Sequence, residues 1–276
     1  MFFSLKTRGI IIKRQKYGEA DLILTVFTQD LGKIQVLAKS ARKGKSKLAS
    51  ALELFNLASL ELVRGYHFNL VIGAQCLNSF RILKQDLDRF AWAHFFAEFL
   101  NCFSEDKVKD RRLYALFRGL FLNLDRPQKE EWQMRIANGQ WRILEYLGIG
   151  PRLDACLGCG AVLSGEPFAF LGEGGMYCFI CGKVETLHCN VSTKIDSQTL
   201  KILKQIMPRE GVVAQDFVET QDFASLRGAN FALAYFLSLS FAPKIKSLRF
   251  LIVPPDKGGL RGVKPLSYLP LSGEKF

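Results

Sequence analysis

A multidomain α+β chain is expected from three changes of pattern. The first 80 residues alternate like short strands, the residues from Asp86 onward recur at helical spacing, and two Cys-x2-Cys pairs lie between helical stretches. These mark a barrel domain at 1–80, a helical bundle domain at 81–150 continued at 191–253, and a zinc ribbon inserted at 151–190. Residues 254–276, rich in Pro and Gly, read as a loosely ordered tail.

Strands are predicted at Thr7 to Ile12, Leu22 to Thr28, Lys33 to Ala38, Leu54 to Val63 and Leu70 to Leu77. Asp30-Leu31-Gly32 gives a tight connection of the second to the third, and Arg64-Gly65 separates the fourth from the fifth. Five short strands in this length suit the OB-fold, a partly open barrel whose second and third strands and flanking loops commonly hold single strands.

The helical period then takes over. Phe90, Ala93, His94, Ala97 and Leu100 share one face, and Trp92, Phe95, Phe96 and Phe99 widen it, so this helix is expected to be mostly buried. Leu113 to Leu124 and Gln128 to Leu147 continue as helices, Leu200 to Ile206 ends before Pro208, and Phe231 to Phe241 is apolar nearly all round, as in a bundle interior.

Charge is unevenly spread. The chain carries 38 basic and 26 acidic residues for a net +12, and residues 1–80 hold 12 basic against 5 acidic, whereas 81–150 hold 12 against 10. Lys33, Lys39, Arg42, Lys43, Lys45 and Lys47 follow one another with no acid between them, and Lys13, Arg14 and Lys16 lie upstream. Cations clustered beside a sheet displace the counterions condensed on nucleic acid, which gives salt-sensitive affinity for any sequence. The same run read blandly is a solvated loop.

Cys156-x2-Cys159 and Cys178-x2-Cys181, 18 residues apart, have the spacing of a four-thiolate zinc site. Four thiolates leave no open position, so one structural Zn2+ is expected, standing in for a core too small to build. Gly160 and Gly182 follow the pairs where knuckle turns need open backbone angles. His188 and Cys189 are reserve ligands, and Cys76 and Cys102 read as core fillers.

Other chemistry is poorly supported. Gly44-Lys45-Ser46 lacks the first glycine of a phosphate-binding loop, and His67, His94 and His188 are scattered. Glu19 and Asp21, with Asp30 nearby, offer a metal-dependent nucleic-acid enzyme as an alternative, and barrel, charge and ribbon also suit a zinc-ribbon RNA-binding adaptor. Seven cysteines without an export signal, and no apolar run of spanning length, indicate a reducing, cytoplasmic setting and no membrane span.

Gly9-Ile-Ile-Ile-Lys-Arg, Tyr17-Gly-Glu-Ala-Asp21, Leu31-Gly-Lys-Ile, Ala38-Lys-Ser-Ala-Arg-Lys43, Asp86-Leu-Asp, Leu153-Asp-Ala-Cys-Leu-Gly-Cys159, Gly174-Gly175 before Cys178, and Lys246-Ser-Leu-Arg-Phe250 together resemble the bacterial RecO DNA repair proteins, in order from residue 5 to about 252. The resemblance implies an OB-fold barrel, a helical domain and a zinc ribbon. It implies a non-enzymatic recombination mediator in the nucleoid that binds single- and double-stranded DNA, anneals complementary strands and, with RecR, helps place RecA on strands coated by single-stranded-DNA-binding protein. On this sequence the family's DNA-binding loop falls on Lys39, Arg42 and Lys43, and its zinc ligands on the four cysteines. By the same analogy, Lys244, Lys246 and Arg249 would receive the acidic tail of the coating protein. The tail after Val253 departs from the family pattern.

Overall fold

The structure, a computed structural model, describes residues 4–127, 132–163, 168–172, 174–182, 193–206, 229–230 and 232–234. Two compact units divide the chain, Met1–Pro127 and Gln128–Phe276.

Strands β1 (Ser4–Tyr17), β2 (Asp21–Thr28), β3 (Gly32–Ala38), β4 (Leu57–Val63) and β5 (Asn69–Asn78) close a barrel in the order β1-β2-β3-β5-β4. All neighbours are antiparallel except β3 and β5, which run parallel with Leu37 opposite Leu70. Alternation explains the closure, because every second residue turns inward to a core of Ile11, Leu22, Leu24, Val26, Ile34, Val36, Leu60, Leu62 and Val71. β1 is longer than predicted. Its first half pairs with β4 and its second half with β2, with a register shift between Ile11 and Lys13 that lets one strand serve both neighbours.

Helices α1 (Arg81–Gln85), α2 (Leu87–Phe103) and α3 (Arg111–Leu124) belong to the same unit as the barrel. Asp86 and Asp110 cap α2 and α3 by accepting from the amides of Arg89 and Leu113. The buried aromatic face foreseen for α2 is present, and it extends onto the barrel. Phe27 of β2 packs against Tyr114 and Phe117, and Phe55, just before β4, against Phe90 and Phe121. The change of pattern at residue 80 coincides with the change from strand to helix, and both parts lie in the compact unit that ends at Pro127.

In the second unit, α4 (Trp132–Leu147) meets the segment at 229–230 through Gln140, whose Nε2 donates to Asn230 Oδ1 at 2.8 Å, while Asn230 Nδ2 donates to the Gln133 carbonyl at 2.9 Å. A three-stranded sheet has β6 (Phe168–Gly172) between β7 (Gly175–Tyr177) and β8 (Thr193–Asp196), and α5 (Ser197–Ile206) follows. β8 comes from beyond residue 190, so the ribbon's sheet recruits a strand that sequence pattern assigned to the helical part. Of the predicted helix at 231–241, Ala232, Leu233 and Ala234 are described, and they are helical and buried. His188, Cys189, Lys244, Lys246, Arg249 and the tail 254–276 lie outside the described residues. Cys76 departs from expectation: it is exposed on β5 rather than filling a core, and Cys102 is half-buried.

Candidate nucleic-acid interface and metal centre

The connection from β3 to β4 carries the basic run, and its backbone is held at both ends. At the start, Ser40, at φ 53°, gives its amide to Asp21 Oδ1 at 2.7 Å, and the Arg42 amide donates to the Ala20 carbonyl at 2.9 Å. At the far end, Asn56 Nδ2 donates to the carbonyls of Ser50 and Ala51 at 2.8 and 3.2 Å, while Asn56 Oδ1 accepts from Lys84 Nζ at 2.6 Å. Burial pulls the Lys84 ammonium below its ordinary value, with Glu53 opposing. Between these anchors Ala41 and Leu52 are buried in the barrel core. Lys39, Arg42, Lys43, Lys45 and Lys47 are all exposed. The loop thus presents five cations from a braced backbone, which lowers the ordering cost of binding a polyanion.

Not every predicted cation belongs to this surface. Lys33 is a correction. It is 8% exposed, its Nζ donates to the Asn101 carbonyl at 2.8 Å, and it pairs with Asp106 at 3.2 Å. An ammonium held between the end of α2 and the connection to α3 is a structural tie, not a phosphate ligand. Lys13, Arg14 and Lys16 are also separated by the pleat. Arg14 lies opposite Leu24 and Lys16 opposite Leu22, on the side of the core residues, whereas Lys13 lies opposite Thr25 on the outer side. Arg14 forms an ion pair with Glu53 at 2.8 Å. Arg42 gives Nη1 to the Glu19 carbonyl at 3.1 Å, which orients its guanidinium and leaves the rest of an exposed fork for a phosphate.

Among the described residues Glu19, Asp21 and Asp30 form no cluster that could hold a metal ion. Asp21 anchors Ser40, and Asp30 accepts from Arg111 at 3.0 Å with Lys109 at 3.6 Å. The Arg111 hydrogen bond holds the Asp30 carboxyl below its ordinary value. These contacts give both carboxylates structural work.

The clustering of the four cysteines was legible from spacing. The four sulfurs of Cys156, Cys159, Cys178 and Cys181 lie within 4.8 Å of one another, and Cys159 and Cys178 are 3.8 Å apart. A tetrahedron with Zn–S bonds of ~2.3 Å has edges of ~3.8 Å, so the donor set fits a zinc ion. Backbone amides already face the sulfurs: Gly158 and Cys178 donate to Cys156 Sγ at 3.3 and 3.2 Å, and Cys181 to Cys178 Sγ at 3.4 Å. Burial opposes ionisation of Cys156, yet the amides of Cys178, Cys159 and Gly158 bring it down to about 6. Hydrogen bonds to the sulfurs of Cys178 and then Cys159 keep the proton on Cys181 and push its thiol up to about 12. Gly160 takes φ 74° after the first pair, as the spacing predicts, while the second pair runs into a helical turn at 179–182. Gly158 has a separate reason, because a Cβ there would lie 3.1 Å from Cys181 Sγ.

One exposed group escaped the sequence reading. Tyr66, on the connection from β4 to β5, is 97% exposed. Its signal is the aromatic pair Tyr66-His67 set directly after Arg64-Gly65.

The chain matches the family model described as recombination protein O N terminal over residues 1–80, and that described as recombination protein O C terminal over residues 84–211. It is similar to proteins named DNA repair protein RecO. The one from Dehalococcoides mccartyi is 33% identical over 206 residues, 74% of this chain and 79% of the relative. The Alkaliphilus metalliredigens protein is 28% identical over 75% of this chain and 82% of its own length, and the Rubrobacter xylanophilus protein 34% identical over 64% and 71%.

Proposed function

Since the chain belongs to the recombination protein O family of DNA repair proteins, we propose that it is a DNA-binding recombination mediator that anneals complementary strands. With RecR it helps load RecA onto DNA coated by single-stranded-DNA-binding protein. The observation that carries the reading is the braced loop whose Lys39, Arg42, Lys43, Lys45 and Lys47 are exposed together. Phosphates of two strands held there repel each other less, and their local concentration rises, so annealing accelerates without ATP and without an acid-base residue. Lys13 and Lys16, exposed on opposite sides of the second half of β1, add positive charge around the loop. The family's DNA role supports single- and double-stranded DNA as ligands and a cytoplasmic, nucleoid-associated place of work. Among the described residues no helix is long and apolar enough to cross a membrane.

Cys156, Cys159, Cys178 and Cys181 would hold one Zn2+, which supplies a cross-link between the two knuckles and no open coordination position. We also keep, as a proposal from family analogy, a contact of Lys244, Lys246 and Arg249 with the acidic tail of the coating protein.

The test is the annealing rate of complementary oligonucleotides coated with single-stranded-DNA-binding protein, without ATP, for wild type and Arg42→Glu/Lys43→Glu. Acceleration by wild type and not by a folded double variant is expected. No acceleration by zinc-loaded wild type would overturn the mediator reading and favour an RNA-binding adaptor or an enzyme.

A further inference from the structure

We propose that the β4–β5 connection is a stacking platform for an unpaired base of single-stranded DNA, with Tyr66 as the ring on which the base lies. The inference rests on the reading of the basic loop as a DNA-binding surface and adds to it the element that distinguishes single strands from duplex.

A tyrosine ring 97% exposed gains nothing from the core, and its ring contact is with its neighbour His67, edge-on at 4.6 Å. The loop is shaped to hold the ring out. A Cβ at Gly65 would stand 2.1 Å from the Phe68 carbonyl oxygen, so the segment closes tightly from 65 to 68 and leaves Tyr66 and His67 at its tip. Arg64, on the same loop, is exposed beside them. An aromatic face next to a cation matches a nucleotide, whose base is flat and apolar and whose phosphate is charged.

Strand register connects this platform to the basic loop. Asn69, which follows the β4–β5 connection, pairs with Val36 in the parallel β3–β5 ladder; Tyr66 lies three residues before Asn69 and Lys39 three residues beyond Val36, so the platform and the basic run stand toward opposite ends of this ladder, up to ~20 Å apart along the strands. Between them lies a row of outward residues across four strands, Gln15, Ile23, Leu37 and Leu70, each the register partner of the next. Ile23, Leu37 and Leu70 are half-buried on a face that turns away from the barrel core. Phosphates at Lys39, Arg42 and Lys43 would therefore leave the following bases to cross an apolar row toward Tyr66. Only an unpaired strand can present base faces there, because a duplex keeps them stacked inside.

The experiment compares the full chain with Tyr66→Ala and Tyr66→Trp for binding to a thymidylate oligomer and to an abasic oligomer of equal length, across a salt series. Both oligomers carry the same phosphates, so stacking and charge separate. Tyr66→Ala should lose about tenfold or more in affinity for thymidylate, none for the abasic oligomer, and nothing in salt slope, while Tyr66→Trp retains binding. Tyr66→Ala binding thymidylate as wild type does, or wild type binding both oligomers equally, overturns the platform and leaves the basic loop standing. Wild type binding neither oligomer overturns the platform together with the mediator reading.

Discussion

Lys33 Nζ and the carbonyl of Asn101 are 2.8 Å apart, a bond that ties the start of β3 to the last turns of α2. The tie is reinforced by backbone, since the Lys107 amide donates to the Lys33 carbonyl at 2.8 Å. Gly32, at φ 68°, sits where a Cβ would be 2.1 Å from the Val108 carbonyl oxygen. Replacing Lys33 by Ala removes the partner of a half-buried carbonyl and should destabilise the unit by about 1 kcal/mol. Its DNA affinity, extrapolated to the native fraction, should keep the wild-type salt slope. Thermal melts and salt titrations check both, and a flatter slope with unchanged stability would return Lys33 to the DNA surface.

The barrel packs against α2 and α3 through buried aromatic rings. Phe55 is fully buried against rings from α2 and α3, so Phe55→Ala should cost about 3–5 kcal/mol. A chain ending at residue 80 should fail to melt cooperatively where one ending at 127 does. Circular dichroism on both decides it, and a cooperative melt of the shorter piece would contradict this and show that residues 1–80 fold alone.

His94 links stability to pH. Its imidazole packs edge-on against Phe55 and Phe90, and partial burial holds it below its ordinary 6.5, with Glu98 opposing. The native state then binds fewer protons than the unfolded state just below 6.5, so its contribution is complete above 6.5 and is lost as pH falls toward the folded value. Urea midpoints on either side of 6.5 should show the decline in wild type and a shallower one in His94→Gln. An NMR titration placing His94 at or above 6.5 would contradict this.

Zinc should bind at one per chain and order residues 152–181. Chelation should open those amides to hydrogen exchange, and Cys156→Ser should lower the metal content. Equal exchange with and without chelator would show that the knuckles hold their shape without a metal.

Local chemistry was legible in the sequence, and tertiary covering was not. The barrel strands announced themselves by alternation, and the four cysteines by spacing, because both signals are local. The end of β1 went unseen because Lys13 to Tyr17 has no apolar alternation, its partner being a neighbouring strand instead of a core. β8 was missed since Thr193–Asp196 is short and mostly polar and pairs with a strand some 25 residues earlier. Lys33 shares its sequence context with Lys39, yet one is covered by α2 and the other is exposed, a difference made 68 residues away. Tyr66 drew no notice, because a sequence does not show which aromatic ring is left exposed to solvent.

The most direct measurement is the salt dependence of single-stranded DNA affinity for the full chain, wild type against Arg42→Glu/Lys43→Glu. A single strand releases ~0.7 counterion per phosphate contact, so losing two contacts should reduce the slope of log K against log salt by about 1.4 and weaken binding to every sequence. A double variant that is folded and keeps the wild-type slope would contradict the account, because the exposed loop would then carry no DNA.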